Sequence, residues 1–122
     1  MGVYLVSIGS NYCKEEKLLF ARTNLCTIFP SVKYSDELET KPLNMTNPAL
    51  FLNQVARFTT SLPIEKVSAI LKELELIAGR TPKSKQREEI PLDIDILMHN
   101  DVVIRPEEMK RDYIIRGIES LK

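Results

Sequence analysis

Pro91-Leu-Asp-Ile-Asp-Ile-Leu-Met98 is the stretch on which the reading of this chain turns. From Leu92 to Ile96 it alternates apolar and acidic residues, which is the period of an extended strand. Successive side chains of a strand point to opposite faces. Asp93 and Asp95 therefore share one face, and Leu92, Ile94 and Ile96 share the other. Two neighbouring carboxylates repel each other unless a cation lies between them, and magnesium carrying substrate phosphates is a common answer. Phosphoryl transfer is one reading of the pair. A half-buried strand with a solvated polar face is the other.

The rest of the chain sets the bounds. Its 122 residues make one expected domain, 1–122, with enough apolar residues for a core. The composition, 43% hydrophobic and 28% charged with zero formal net charge, gives no sign of nucleic-acid or anionic-membrane binding. The two cysteines, Cys13 and Cys26, lack metal-ligand spacing. Cys13 falls in a loop, and Cys26 on the apolar side of an expected helix, which predicts a buried, reduced thiol. The N-terminal apolar run Val3–Val6 is too short for a signal peptide or a membrane span, so a cytoplasmic address is the expectation.

Working outward from the aspartates, six elements are predicted. Val3–Ile8 reads as a buried strand, broken by Gly9-Ser10-Asn11. Residues 14 to 29 read as a helix carrying Leu18, Leu19, Arg22, Leu25, Cys26 and Phe29, stopped by Pro30. Residues 31 to 40 alternate as a second strand, 41 to 49 form a loop, and Phe51–Thr60 is a third strand. Residues 63 to 78 form the clearest helix, with an apolar stripe of Ile64, Val67, Ile70, Leu71 and Leu74 and Gly79 at its C-terminal cap. A basic loop, 80 to 90, leads into the aspartate strand. A turn at His99-Asn100-Asp101 and a short strand at Val102–Ile104 follow it. The order β-α-β-β-α-β predicts an α+β, ferredoxin-like fold: an antiparallel sheet with helices on one face. The other face is left for ligand, loops or a partner. On that face Phe51, Asn53 and Val55 join Asp93 and Asp95, so a ring, an amide and two carboxylates line one shallow site. Asn is depleted in strands, which gives Asn53 a binding role or, alternatively, that of a strand-edge breaker. Ile8-Gly-Ser-Asn11 lacks the phosphate-loop lysine and reads as a tight turn with helix capping. His99 reads as a turn residue, and Tyr4, Tyr34 and Phe58 as sheet packing.

An ordered set of short motifs now resembles a known family. Val6-Ser-Ile-Gly-Ser-Asn11, Glu39-Thr40 with Pro42-Leu43, Phe51-Leu-Asn53, Glu75 with Gly79-Arg80, and Leu92-Asp-Ile-Asp95 fall in the order and spacing of 6-hydroxymethyl-7,8-dihydropterin pyrophosphokinase, a folate-pathway enzyme. The resemblance implies ATP and a pterin as substrates, release of AMP, and two magnesium ions held by Asp93 and Asp95 against the phosphates. It implies a pterin pocket at Thr40, Leu43, Asn53 and Phe51, with Ile118 where the family places a second aromatic ring. It places Glu75 and Arg116 on the nucleotide side.

The chain departs from the family at several points. Ile90 stands where the family has an arginine, three residues before the first aspartate. The family's loop tryptophan is absent. The cations of Arg80–Glu89 read in two ways: Lys83, Lys85 and Arg87 meet phosphates, with Lys83 the expected ATP contact and Arg87 expected to act with the aspartates, or they form a solvated charge cluster. Lys110-Arg111 replace a His-Tyr pair and remain cationic donors for ATP. These departures keep two alternatives open: a relative that binds pterin or nucleotide with little turnover, and a ferredoxin-like regulatory or interaction module. Monomer and homodimer are both compatible with the open sheet face.

Overall fold

A computed structural model describes residues 1–42 and 45–121. The strands are β1 (Gly2–Ser10), β2 (Lys33–Tyr34), β3 (Leu38–Thr40), β4 (Phe51–Thr60), β5 (Asp93–His99) and β6 (Val102–Val103). The helices are α1 (Lys14–Ile28), α2 (Ile64–Ile77), α3 (Pro82–Gln86), α4 (Pro106–Met109) and α5 (Asp112–Ser120). The sheet is antiparallel in the order β2-β4-β1-β5-β6, with β3 also paired to β4. This is the expected α+β, ferredoxin-like arrangement, and α1 and α2 pack on one face of it.

That face is mainly apolar, with Gln54 a buried polar exception that accepts from Arg22 of α1 at 3.1 Å. Tyr4, Val6 and Ile8 of β1, Leu52, Ala56 and Phe58 of β4, and Ile94 and Ile96 of β5 meet Leu18, Ala21 and Leu25 of α1 and Val67, Leu71 and Leu74 of α2. Phe29 stacks on Phe58 with centroids 4.1 Å apart, and His99, the last residue of β5, stacks on Tyr4 at 4.3 Å. The α1 stripe is rotated from the expected one. Ala21 is buried, whereas Leu19 is 56% exposed and Cys26 is exposed, so the expected buried thiol is not found. The residues 18-19-22-25-26-29 define two overlapping faces of one helix, and the small side chain at 21 lets α1 approach the sheet along the other.

The expected second strand is split. Buried Ser35 donates its N–H to the Val55 carbonyl (2.8 Å), while its hydroxyl accepts from the Val55 N–H (2.7 Å). The side chain replaces one backbone rung, and the ladder breaks between β2 and β3.

The opposite face is covered at one end only. α5 packs Ile114, Ile118 and Leu121 against Leu5, Val55 and Leu97. Gly117 permits this approach, since a Cβ there would lie 2.6 Å from Val55 Cγ2. A register shift between Leu5 and Val6 leaves Leu97 unpaired in β5, but it stays on the face that Asp93 and Asp95 occupy. Among the described residues no helix is long and apolar enough to cross a membrane.

Candidate active site

The uncovered end of that second face is the site. Its floor follows from strand register. Gly9 of β1 lies opposite Asn53 on one side and Asp93 on the other, and Ser7 lies between Val55 and Asp95. Two rows across three strands thus set an amide about 10 Å, two strand spacings, from a carboxylate pair. A cavity of about 210 Å³ stands over these rows, lined by Thr40, Phe51, Asn53, Asp93 and Asp95, and closed by Glu108, Arg111 and Tyr113 from the C-terminal helices.

Asn53 is oriented by β3. Its Nδ2 donates to Thr40 Oγ1 (2.7 Å) and to the Leu38 carbonyl (3.1 Å). Its donors are spent within the protein, and its Oδ1 lies over Gly9, where a Cβ would come within 3.3 Å of it. Glycine at 9 keeps that acceptor open to the cavity.

The aspartates are held differently. Arg80 donates to Asp93 Oδ1 at 2.8 Å and also meets Glu75 Oε2 at 3.3 Å. Its position comes from the end of α2. Gly79 takes φ +107, the Gly79 N–H bonds the Leu76 carbonyl and the Arg80 N–H bonds the Glu75 carbonyl, a Schellman closure that turns the chain toward β5. Glu75 Oε2 in turn accepts the Ile94 N–H at 2.8 Å. Burial is the main cause raising the Glu75 pKa, opposed by that N–H and by Arg80. Asp95 meets Arg105 at 3.2 Å. Its carboxyl is pushed up to about 7, first by burial and then by the charges of Asp93 and Glu108, with Arg105 pulling the other way. Glu75, Arg80, Asp93, Asp95 and Arg105 border a second, open cavity of about 360 Å³ on the α2 side of β5.

The two long loops beside the first cavity are joined. Glu88 Oε1 accepts the N–H groups of Thr46 and Asn47, both at 2.9 Å. The Glu88 carbonyl accepts from Asn11 Nδ2 at 2.8 Å. Asn11 is therefore a staple between the β1–α1 turn and the 80–90 loop. The expected helix cap is not made, because Cys13 holds the N-cap position of α1 without a side-chain bond.

The other sequence-derived candidates are distributed as follows. Thr40, Phe51, Asn53, Asp93, Asp95 and Arg111 line the first cavity, and Glu75 the second. Lys83 and Arg87 are exposed, in α3 and at its C-cap, and border neither cavity. Lys110 is exposed beside Glu107, and Arg116 pairs with Asp112 and borders a separate groove between β4 and α5. Ile118 packs on the apolar cluster under α5 rather than lining the cavity. Leu43 lies outside the described residues. Among the residues at the site that were not singled out for it from the sequence are Arg80, Arg105, Glu108 and Tyr113. The spacing of Ile114, Ile118 and Leu121 is the signal that could have revealed α5, and with it Tyr113.

Two carboxylates on one strand face are a hard-oxygen donor set, and their mutual repulsion, visible at Asp95, is what a divalent cation relieves. Among the described residues no cluster of three or more His, Cys, Asp or Glu is arranged to hold a metal.

Comparison with known proteins supplies the last observations. The model of the 7,8-dihydro-6-hydroxymethylpterin-pyrophosphokinase family matches residues 5–122. The chain is 28% identical over 111 residues to a folate synthesis bifunctional protein, mitochondrial, of Arabidopsis thaliana. That alignment covers 86% of this chain and 19% of the relative, so the chain spans about a fifth of that protein's length.

Proposed function

The chain belongs to the 7,8-dihydro-6-hydroxymethylpterin-pyrophosphokinase family, and from that membership we propose that it transfers the pyrophosphoryl group of ATP to 6-hydroxymethyl-7,8-dihydropterin. The hydroxymethyl oxygen forms a bond to the β-phosphorus, the bond from that phosphorus to the α-phosphate oxygen breaks, and AMP and a proton are released. The observation that carries this reading is the Asn53–Gly9–Asp93 row, which sets an amide-floored cavity beside the carboxylate pair.

Each residue's part follows from its surroundings. Asn53 Oδ1 accepts an N–H of the flat heterocycle, since Thr40 and Leu38 hold the amide in that sense. Phe51 supplies one stacking surface. Tyr113 lines the same cavity, with its hydroxyl accepting from Arg111 at 3.1 Å, and offers the second ring that Ile118 does not. Asp93 and Asp95 would hold magnesium, which when bound neutralises phosphate charge. Arg111 lines the cavity, as Lys41 does, and its forked guanidinium suits the transferred phosphates. Roles for Lys83, Arg87, Lys110 and Arg116 require them to come in with ATP. A cytoplasmic address and a monomeric or homodimeric state belong to the same proposal.

The test is AMP release from ATP and magnesium with and without the pterin. Pterin-dependent AMP supports the reaction. Pterin binding without AMP favours the low-turnover relative, and absence of both refutes the proposal.

A further inference from the structure

Arg80 and Arg105 each sit on one of the two aspartates, but they are not held alike. Arg80 is 31% exposed and bonds Asp93, Glu75 and the Leu92 carbonyl, on a backbone fixed by the α2 closure. Arg105 is 49% exposed and stands at the N-cap of the four-residue α4, and among the described residues its guanidinium is held by Asp95 at 3.2 Å and Glu108 at 3.3 Å. A guanidinium and a divalent ion compete for the same carboxylate lone pairs and repel each other at that distance. The same competition acts on Asp93 and on Asp95, and the less firmly held guanidinium gives way. Of the two arginines, Arg105 is the one free to leave. Its remaining tether, Glu108, keeps it at the mouth of the cavity bordered by Arg80, Asp93 and Asp95.

We propose that Arg105 is a positioning residue that occupies Asp95 until a nucleotide's divalent cation arrives, and then exchanges that carboxylate for the nucleotide's phosphate. The exchange keeps charge paired at every stage. Asp95 trades one cation for another, and the guanidinium trades a carboxylate for a phosphate oxygen. Arg80 stays on Asp93 throughout and keeps the strand end in place. The inference rests on the reading of Asp93 and Asp95 as the cation pair.

The test separates metal from nucleotide. Mn2+ alone is titrated against the protein and free Mn2+ is counted by its paramagnetic resonance, at about pH 8.5 so that the carboxylates are charged. Arg105→Gln should bind Mn2+ alone about fivefold more tightly than the wild type, because a competitor worth that much at a half-exposed pair is gone. The same variant should bind the magnesium complex of α,β-methylene-ATP several-fold more weakly. Weakening of both, or unchanged Mn2+ affinity, overturns the exchange. Asp95→Asn is the control: if it leaves Mn2+ binding intact, the cation pair itself is wrong and the inference falls with it. Should Arg105→Gln not fold, the wild-type Arg105 Nε–H resonance decides. Magnesium added alone should shift it further than that of Arg80, and an Arg105 signal that moves no more than Arg80's overturns the proposal.

Discussion

The two faces of this sheet are made by alternate residues of the same strands, yet they do opposite things. The face under α1 and α2 is mainly apolar, built on Tyr4, Val6, Ile8, Leu52, Ala56, Phe58, Ile94 and Ile96, with Gln54 its buried polar exception. The other face is divided along the strand axis. Leu5, Val55 and Leu97 are sealed by α5, while Ser7, Gly9, Asn53, Asp93 and Asp95 lie beyond its reach under an open cavity. The first face carries the stability that lets the second hold two carboxylates side by side. Like-charged groups persist there because the strands that carry them are fixed from behind.

Substitutions can break this comparison, and the largest effect belongs to the first face. Phe58→Ala removes a ring stacked on both Tyr4 and Phe29, and should cost about 3–5 kcal/mol in denaturant unfolding. A loss below about 1 kcal/mol would show that the face is not the stabilising one. Next comes Asp95→Asn, which should lower pterin-dependent AMP release by about 10²–10³-fold, by analogy with removal of one transition-state electrostatic contact. It should leave unfolding stability at neutral pH equal or higher, because a crowded carboxylate is removed. Loss of stability together with activity would place Asp95 among the structural groups.

A smaller effect sharpens the boundary within the second face. Ile118→Ala should destabilise by about 2 kcal/mol with little change in pterin affinity, since its contacts are under α5. Tyr113→Ala should weaken pterin binding about tenfold, as loss of one stacking ring does. Calorimetric titration with the pterin checks both, and reversed effects would move the boundary. The smallest effect is one of pH. The Asp95 carboxyl ordinarily titrates near 3.8 and is raised to about 7 in the fold. The folded state then binds more protons than the unfolded chain between those values, so this group's contribution falls as pH rises through that window. The difference in melting temperature between wild type and Asp95→Asn, without metal, should therefore grow more unfavourable to the wild type from pH 4 to 7. A flat difference would refute the shift.

Much of this division was legible before any coordinates. Strand alternation put Asp93, Asp95, Phe51 and Asn53 on one face and Ile94 and Ile96 on the other, as found. Helical spacing was less decisive. In α2 a wide stripe made the buried side plain, but in α1 two stripes overlapped, and Leu19 and Cys26 were assigned to the wrong one. The stretch 31–40 looked continuous because nothing local marks Ser35 as the residue whose hydroxyl replaces a backbone rung. The helix α5 was passed over because nine residues with one glycine carry a faint local signal, and Val55, its counterpart, is some sixty residues away.

The sequence by itself determined the order of the long strands and the two long helices, the sheet's two faces and the carboxylate pair, because the period of an extended strand is set by backbone geometry and does not depend on what surrounds it. Only the tertiary structure decided which cation meets which aspartate, that Ile118 turns into the core while Tyr113 lines the cavity, and that Arg80 is fixed where Arg105 is loose. Those outcomes depend on long side chains and short helices reaching across loops. Their partners are chosen by distance in space, which no local pattern records.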